Sequence, residues 1–298
     1  MNDINAIMAQ AYKKNIVIPA FNMPHLPIME PVVKALKESD TFGLIAVARL
    51  EWVKFSSKSM AAVAKEYERW GDSRVTRLHL DHIPVIDEDH LQVDYMRDIK
   101  EAISVGFQSV MVDGSRLPLA ENIRVTKEVV DYAHSLGVPV EAELGAVMGH
   151  EDGPMPSYEE LFASLRGFTD VGEATQFVKE SGVDWLSVAV GSVHGAISQA
   201  SRDQKKVTAR LHIERLSEIN AALGIPLVLH GGSGIALSYL HDSFKEGIAK
   251  LNIGTDIRQA YEANIEKSLE VAQEAVYKRV LEIVDELQIG GSAAELVG

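Results

Sequence analysis

The sequence predicts an α/β fold in which eight parallel strands close into a (β/α)8, or TIM, barrel, extended by C-terminal helices. Three observations lead there. Short β-branched runs recur eight times along the 298 residues, longer amphipathic stretches separate them, and polar residues able to do chemistry gather where the runs end. Near-continuous apolar strands are those buried on both faces, and helical stretches between them supply the crossovers of a parallel sheet. Eight such units in about 250 residues match a closed barrel better than an open doubly wound sheet.

In chain order, NIVIPAFN (15–22) is followed by the helical pattern PIMEPVVKALKES, and FGLIAVARL (42–50) by SMAAVAKEYERWG. RVTRLHLDH (74–82) precedes DYMRDIKEAISVG; QSVMVDGS (108–115) and VPVEAELG (138–145) come next. EATQFVKESG leads into VDWLSVAVGSVHG (183–195), and IPLVLHGG (225–232) and IAKLNIGTD (248–256) complete the eight. No linker-like composition shift interrupts the series, so 1–298 reads as one domain. A helical extension begins at about 257, and the longest insertion, ISQASRDQKKVTARLHIERL, follows the sixth strand.

Bulk properties narrow the function. The chain is 46% hydrophobic and 24% charged, its mean hydropathy is near zero, and no apolar run reaches the roughly 18 residues of a membrane span. The opening MNDINAIMAQAYKKN lacks the basic-then-apolar order of a secretory peptide. The cytoplasm is the default compartment. With no cysteine, a bound metal would rely on His, Asp and Glu. The net charge of -14 argues against nucleic acid and anionic membranes as partners. A small anionic substrate stays open, since a local nest of backbone N–H groups overrides global charge.

A barrel gathers the C-terminal ends of its strands on one face, and that face hosts the active site. The polar residues there are Asn22, Asp81 and His82, Asp113 and Ser115, Glu141 and Glu143, His194, His230, and Asn252, Thr255 and Asp256. Three of the ten histidines, His82, His194 and His230, fall at or beside predicted strand ends. Three neutral imidazoles with an open fourth position suit a catalytic zinc rather than a structural one; the plainer alternative is three satisfied loop histidines. Gly195, Gly231 and Gly232 flank two of them and allow close backbone approach. HGGSG with Ser233, and NIGTD with Thr255 and Asp256 one strand later, form a pair of anion-binding turns. Lys250 either adds charge to the second turn or is a solvated or strand-packing lysine.

The ordered motifs AFN, LHLDH, SVMVDGSRLPLAENI, VEAELG, AVGSVHG, LVLHGGSG and KLNIGTD resemble those of class II, metal-dependent ketose-bisphosphate aldolases, from about residue 15 to 260. The resemblance implies Zn²⁺ held by His82, His194 and His230. It implies a second cation position, divalent or monovalent, near Asp113 and Glu143; otherwise these are buried carboxylates in a polar network. Asp81 would exchange a proton with the C4 hydroxyl of a phosphorylated ketose, the alternative being an orienter of a neighbouring histidine. The C3–C4 bond would break to an aldehyde and a zinc-stabilised enediolate of dihydroxyacetone phosphate, with Glu151 as candidate for protonation at C3. Asn22, Gly195, Gly231, Gly232, Ser233, Asn252, Thr255 and Asp256 would hold substrate and phosphate. A homo-oligomer, dimer or tetramer, is implied as well.

The chain departs from the family's pattern on the aldehyde side. Met148 stands for a glycine, Ala48, Arg49 and Trp52 replace a strand-two end that usually carries Ser or Thr, and a DPR-type segment is absent. Arg49 would contact a distal phosphate, sulfonate or carboxylate, or be a surface arginine. Two other functions compete. A metal-dependent hydrolase wants an HxH pair ending strand one, where PAFN stands. A non-catalytic phosphosugar-binding barrel has no need of Asp81.

Overall fold

Eight parallel strands pair in chain order, and the last returns to the first, in a computed structural model that describes residues 3–145, 157–192 and 209–298. They are β1 (Ile18–Asn22), β2 (Gly43–Ala48), β3 (Thr76–Pro84), β4 (Ser109–Asp113), β5 (Val140–Leu144), β6 (Trp185–Val188), β7 (Leu227–Leu229) and β8 (Ile248–Ile253). The predicted barrel is therefore present, with every strand except β3 shorter than its apolar run; β6 spans four residues of a thirteen-residue run. The run counts hydrophobic residues that continue into the turn, where Ala189 and Val190 are buried without pairing as strand.

Helices α1 (Ile4–Lys14), α2 (Met29–Glu38), α3 (Arg49–Val53), α4 (Met60–Trp70), α5 (Tyr95–Ser104) and α6 (Leu119–His134) accompany the first half. The second half carries α7 (Tyr158–Ser164), α8 (Val171–Ser181), α9 (Ile213–Leu223), α10 (Leu237–Lys245), α11 (Thr255–Glu262), α12 (Leu269–Leu287) and α13 (Ser292–Leu296). Their starts follow side-chain capping, which satisfies N–H groups that the first turn leaves unbonded. Ser59 accepts from the Ala62 N–H, Asp170 from Gly172 and Glu173, and Ser268 from Val271. The C-terminal extension is α12 and α13, with α12 packed on α2 and α11.

Helix α1 was not read from the sequence. It lies where the strands begin: the Trp185 indole N–H donates to Asn5 Oδ1 at 3.0 Å, and Asn5 Nδ2 donates to Asp184 at 3.0 Å. Trp185 is fully buried, and an aromatic that large is rarely buried without a partner for its N–H.

The barrel interior holds more than aliphatic layers. Strand alternation turns residues two apart to the same side, which stacks His79 under Asp81, Glu141 under Glu143, and Lys250 under Asn252. Lys250 is completely buried. Its ammonium lies 2.8 Å and 3.1 Å from the two Glu141 oxygens and 3.9 Å from Asp81 Oδ1. Of the two readings left open for this lysine, packing within its strand is the one observed, and there it is a fixed internal cation. Burial opposes the charge on Glu141, yet Lys250, His230 and His79 bring its pKa down to about 2.

Two backbone approaches set the upper rim. The Gly232 N–H donates to Asn252 O at 3.2 Å, joining the ends of β7 and β8. A Cβ on Gly232 would stand 2.7 Å from Leu251 Cδ1 and 2.8 Å from Asn252 O. Thr169 Oγ1 donates to Leu144 O at 2.5 Å and accepts from the Ala189 N–H at 2.9 Å, joining β5 to the turn after β6.

Two outcomes follow. Gly232→Ala lowers stability by about 1–3 kcal/mol through overpacking, read as a lower urea midpoint at unchanged slope. Lys250→Met removes the nearest cation from buried Glu141, leaving it only the His230 contact, and costs about 3–5 kcal/mol; adding Glu141→Gln restores much of it in the same titration.

Candidate functional site

Strand β3 brings the acid to the rim. Its pairing with β4 slips between Leu80 and Ile83, and His82 sits at φ +35°, a left-handed conformation that a non-glycine residue adopts at a cost. This irregularity lets the consecutive Asp81 and His82 both reach the site, where a regular strand would send one of them outward.

Asp81 is buried. Asn22 Nδ2 donates to its Oδ2 at 2.9 Å, and Asn252 Nδ2 bridges both oxygens at 2.9 and 3.0 Å. Burial alone would favour the neutral acid. The positive charges of His82, Lys250 and His230 outweigh it and hold Asp81 well below the usual carboxylate range. It is therefore an ionised base in a dry setting, kept in place by two amides.

His82 and His230 stand on the other side of that carboxylate, ring centroids 4.3 Å apart and planes at 69°. His82 Nδ1 lies 3.4 Å from Asp113 and 3.9 Å from Glu143. His230 Nε2 meets Glu141 at 2.9 Å, and its Nδ1 lies 3.2 Å from Glu143. Burial would depress both imidazoles. The carboxylates Asp81, Asp113 and Glu143 raise His82 to about 10, and Glu141 and Glu143 raise His230. Asp113, bonded to His82 and to the Ser115 N–H at 2.9 Å, is held low despite its burial.

These donors fit a cation. Ligand atoms of Asp81, His82 and His230 lie within 4.8 Å of one another, and so do those of His82, Asp113 and Glu143. An acidic cluster that draws protons onto its histidines attracts a divalent ion for the same reason. Glu141, bonded to His230 Nε2, turns Nδ1 toward Glu143 and the cluster as the nitrogen that would ligate, the usual role of a carboxylate behind a metal-binding histidine. His194, expected as the third histidine, lies outside the described residues, as do Gly195 and Glu151.

On the anion side, Gly231 adopts φ +69° and Gly232 and Ser233 are buried beside Asn252. Asn252 Oδ1 is buried with no hydrogen-bond partner among the described residues, an acceptor that a ligand hydroxyl would satisfy. Thr255 opens α11 beside Asn22, whose Cβ lies 3.3 Å from where a Gly254 Cβ would be. The carboxylate of Asp256 is engaged elsewhere, by Arg279 of α12 at 3.1 Å. Arg49 is likewise engaged, 3.5 Å from Asp87 and 3.7 Å from Asp98, both buried.

Three residues that no role was assigned from sequence belong to this centre. His79 lies 3.5 Å from Glu141 and 3.9 Å from Asp81, with Nδ1 paired to Ser109 at 2.9 Å. Burial and Lys250 lower its pKa to about 3, so it stays neutral. Its signal, like that of Glu141, is spacing by two from a rim acid. Glu51, on α3 beyond the end of β2, has no such signal.

Comparison with known proteins places this geometry. The family model for class-II fructose-bisphosphate aldolase matches residues 2–291. Solved structures that are similar include the YdjI aldolase of Escherichia coli K12, 27% identical with a TM-score of 0.77 over 98% of each chain. A putative fructose-1,6-bisphosphate aldolase from Coccidioides immitis is 26% identical with a TM-score of 0.77, again over 98% of each chain. Fructose-bisphosphate aldolase from Campylobacter jejuni, at 20% identity, shares the fold with a TM-score of 0.75 over 97% of this chain and 95% of that one. With a rim acid beside clustered imidazoles on a (β/α)8 barrel and a family match over nearly its whole length, the chain belongs to the class-II fructose-bisphosphate aldolase family.

Proposed function

We propose that the protein is a metal-dependent aldolase that reversibly cleaves a phosphorylated ketose into dihydroxyacetone phosphate and an aldehyde. The observation that carries this reading is Asp81: an ionised, buried carboxylate clamped by Asn22 and Asn252 next to the His82–His230 pair. A phosphosugar-binding protein gains nothing from burying such a base.

His82 and His230, with His194 from sequence, would hold Zn²⁺, and Asp113 and Glu143 a second cation position. The bound metal supplies a Lewis acid that polarises the ketone oxygen and stabilises the negative charge left by cleavage. Asp81 takes the proton of the C4 hydroxyl, the C3–C4 electron pair moves toward the ketone, and the aldehyde departs. Glu151 is assigned the return of a proton to C3. Asn22 and Asn252 keep Asp81 aimed and ionised, and the unpartnered Oδ1 of Asn252 accepts from a substrate hydroxyl. The Gly231–Ser233 and Gly254–Asp256 turns would take the phosphate on backbone N–H groups. In the same reading the working form is a homo-oligomer in the cytoplasm. Among the described residues no helix is long and apolar enough to cross a membrane.

Dialysis against a chelator lowers release of dihydroxyacetone phosphate from fructose and tagatose 1,6-bisphosphates and ketose 1-phosphates, and added Zn²⁺ restores it. Asp81→Ala lowers kcat by about 10²–10⁴-fold at unchanged zinc content. Undiminished turnover in either case removes the reading.

A further inference from the structure

The motif SVMVDGSRLPLAENI carries near its end an asparagine that the aldolase chemistry leaves without a role. Asn122 sits in the first turn of α6 and is 1% exposed. Its Nδ2 donates to the Glu143 carbonyl oxygen at 3.0 Å, and its Oδ1 accepts from the Thr126 hydroxyl at 3.2 Å. A carbonyl oxygen only accepts, so the NH₂ end of the amide is the end that faces Glu143.

Two strand ends meet at this amide. The pairing of β5 with β4 stops at Ala142, and one residue further on Asn122 supplies an N–H to Glu143. On the β4 side, a Cβ on Gly114 would stand 2.2 Å from Asn122 Oδ1 and 2.7 Å from its Cγ. The amide therefore packs directly on the backbone of the residue after Asp113, in space that only a glycine leaves open. Asp113 and Glu143 come from different strands, yet one buried side chain sets the backbone beside both. Their carboxylates approach His82 Nδ1 at 3.4 and 3.9 Å, and ligand atoms of the three residues lie within 4.8 Å of one another.

We propose that Asn122 is a positioning residue for Asp113 and Glu143, fixing the spacing of β4 and β5 at which the two carboxylates share a cation beside His82. Groups that hold the ligands of a metal govern its affinity without touching it. The inference rests on the second cation position of the reading above and names what builds it.

The probe is Mn²⁺, which suits carboxylate ligands and does not displace zinc from imidazoles. Zinc-loaded protein is titrated with Mn²⁺ and followed by the EPR signal of the free ion. Wild type takes up the ion. Asn122→Leu, similar in shape and unable to donate, binds it about tenfold or more weakly at unchanged zinc content. Gly114→Ala, which pushes the amide away by its Oδ1 end, shows the same loss, and the two substitutions together lose no more than Asn122→Leu does by itself. A tie that served stability only would lower the urea midpoint and leave Mn²⁺ affinity intact. Affinity within about twofold of wild type in either folded variant therefore overturns the role. Wild-type protein that takes up no Mn²⁺ but cleaves ketose phosphates with zinc overturns the second position and the role of Asn122, and leaves the aldolase reading standing. Mn²⁺ uptake that depends on Asn122 in a protein without turnover on any ketose phosphate supports the role and overturns the aldolase reading.

Discussion

A carboxylate stays charged inside a protein only where donors and positive charge replace the water it has lost, and Asp81 depends on that replacement. The nearest fixed cation is Lys250, far enough away to leave the acid's oxygens to Asn22 and Asn252. Lys250 needs neutralising in turn, and Glu141 does so at 2.8 Å. Glu141 then has one lone pair to spare, which orients His230. The Asp81 carboxylate, its counter-charge and the His230 imidazole are thus links of one electrostatic chain through β3, β5, β8 and the end of β7. None of the strands can shift alone without exposing an uncompensated charge to a dry interior.

The barrel and most of its rim were legible because period-two burial and strand-end polarity are local signals. Asp81, His82, Asp113, Glu143, His230 and Asn252 all reach the centre they were expected to line. Long-range compensation is what the sequence hid. Nothing near Lys250 announces Glu141, 109 positions away, and the lysine read equally well as a strand residue or a phosphate contact. Glu51 follows a strand on a five-residue helix, where glutamates are ordinarily solvated. Helix α1 went unread because its opening segment was judged only for a secretory pattern, not for amphipathic spacing. Arg49 and Asp256 show the converse: rim charges look available in sequence, and partners such as Asp87 and Arg279 are brought to them only by the fold.

The altered end of strand two, Ala48, Arg49 and Trp52, falls around this centre rather than through it. The altered end of β2 carries Ala48, whose backbone serves Glu51, and Arg49, whose guanidinium braces Asp87 and Asp98 at the head of α5. Arg49, open in the sequence to a substrate anion or to solvent, instead reinforces the scaffold behind the acid. The contacts made by the end of β2 are therefore separable from those that hold Asp81, which come from β1 and β8.

The hydroxyl of Thr169 gives that separability a mechanical form. It ties Leu144 O and the Ala189 N–H to one atom, and Gly145, at φ +101°, leaves no room for a Cβ beside it. Glu151 and His194 follow those two tied points in the sequence. One hydroxyl thus pins the end of β5 and the turn after β6 to each other, whatever length or sequence evolution places after them.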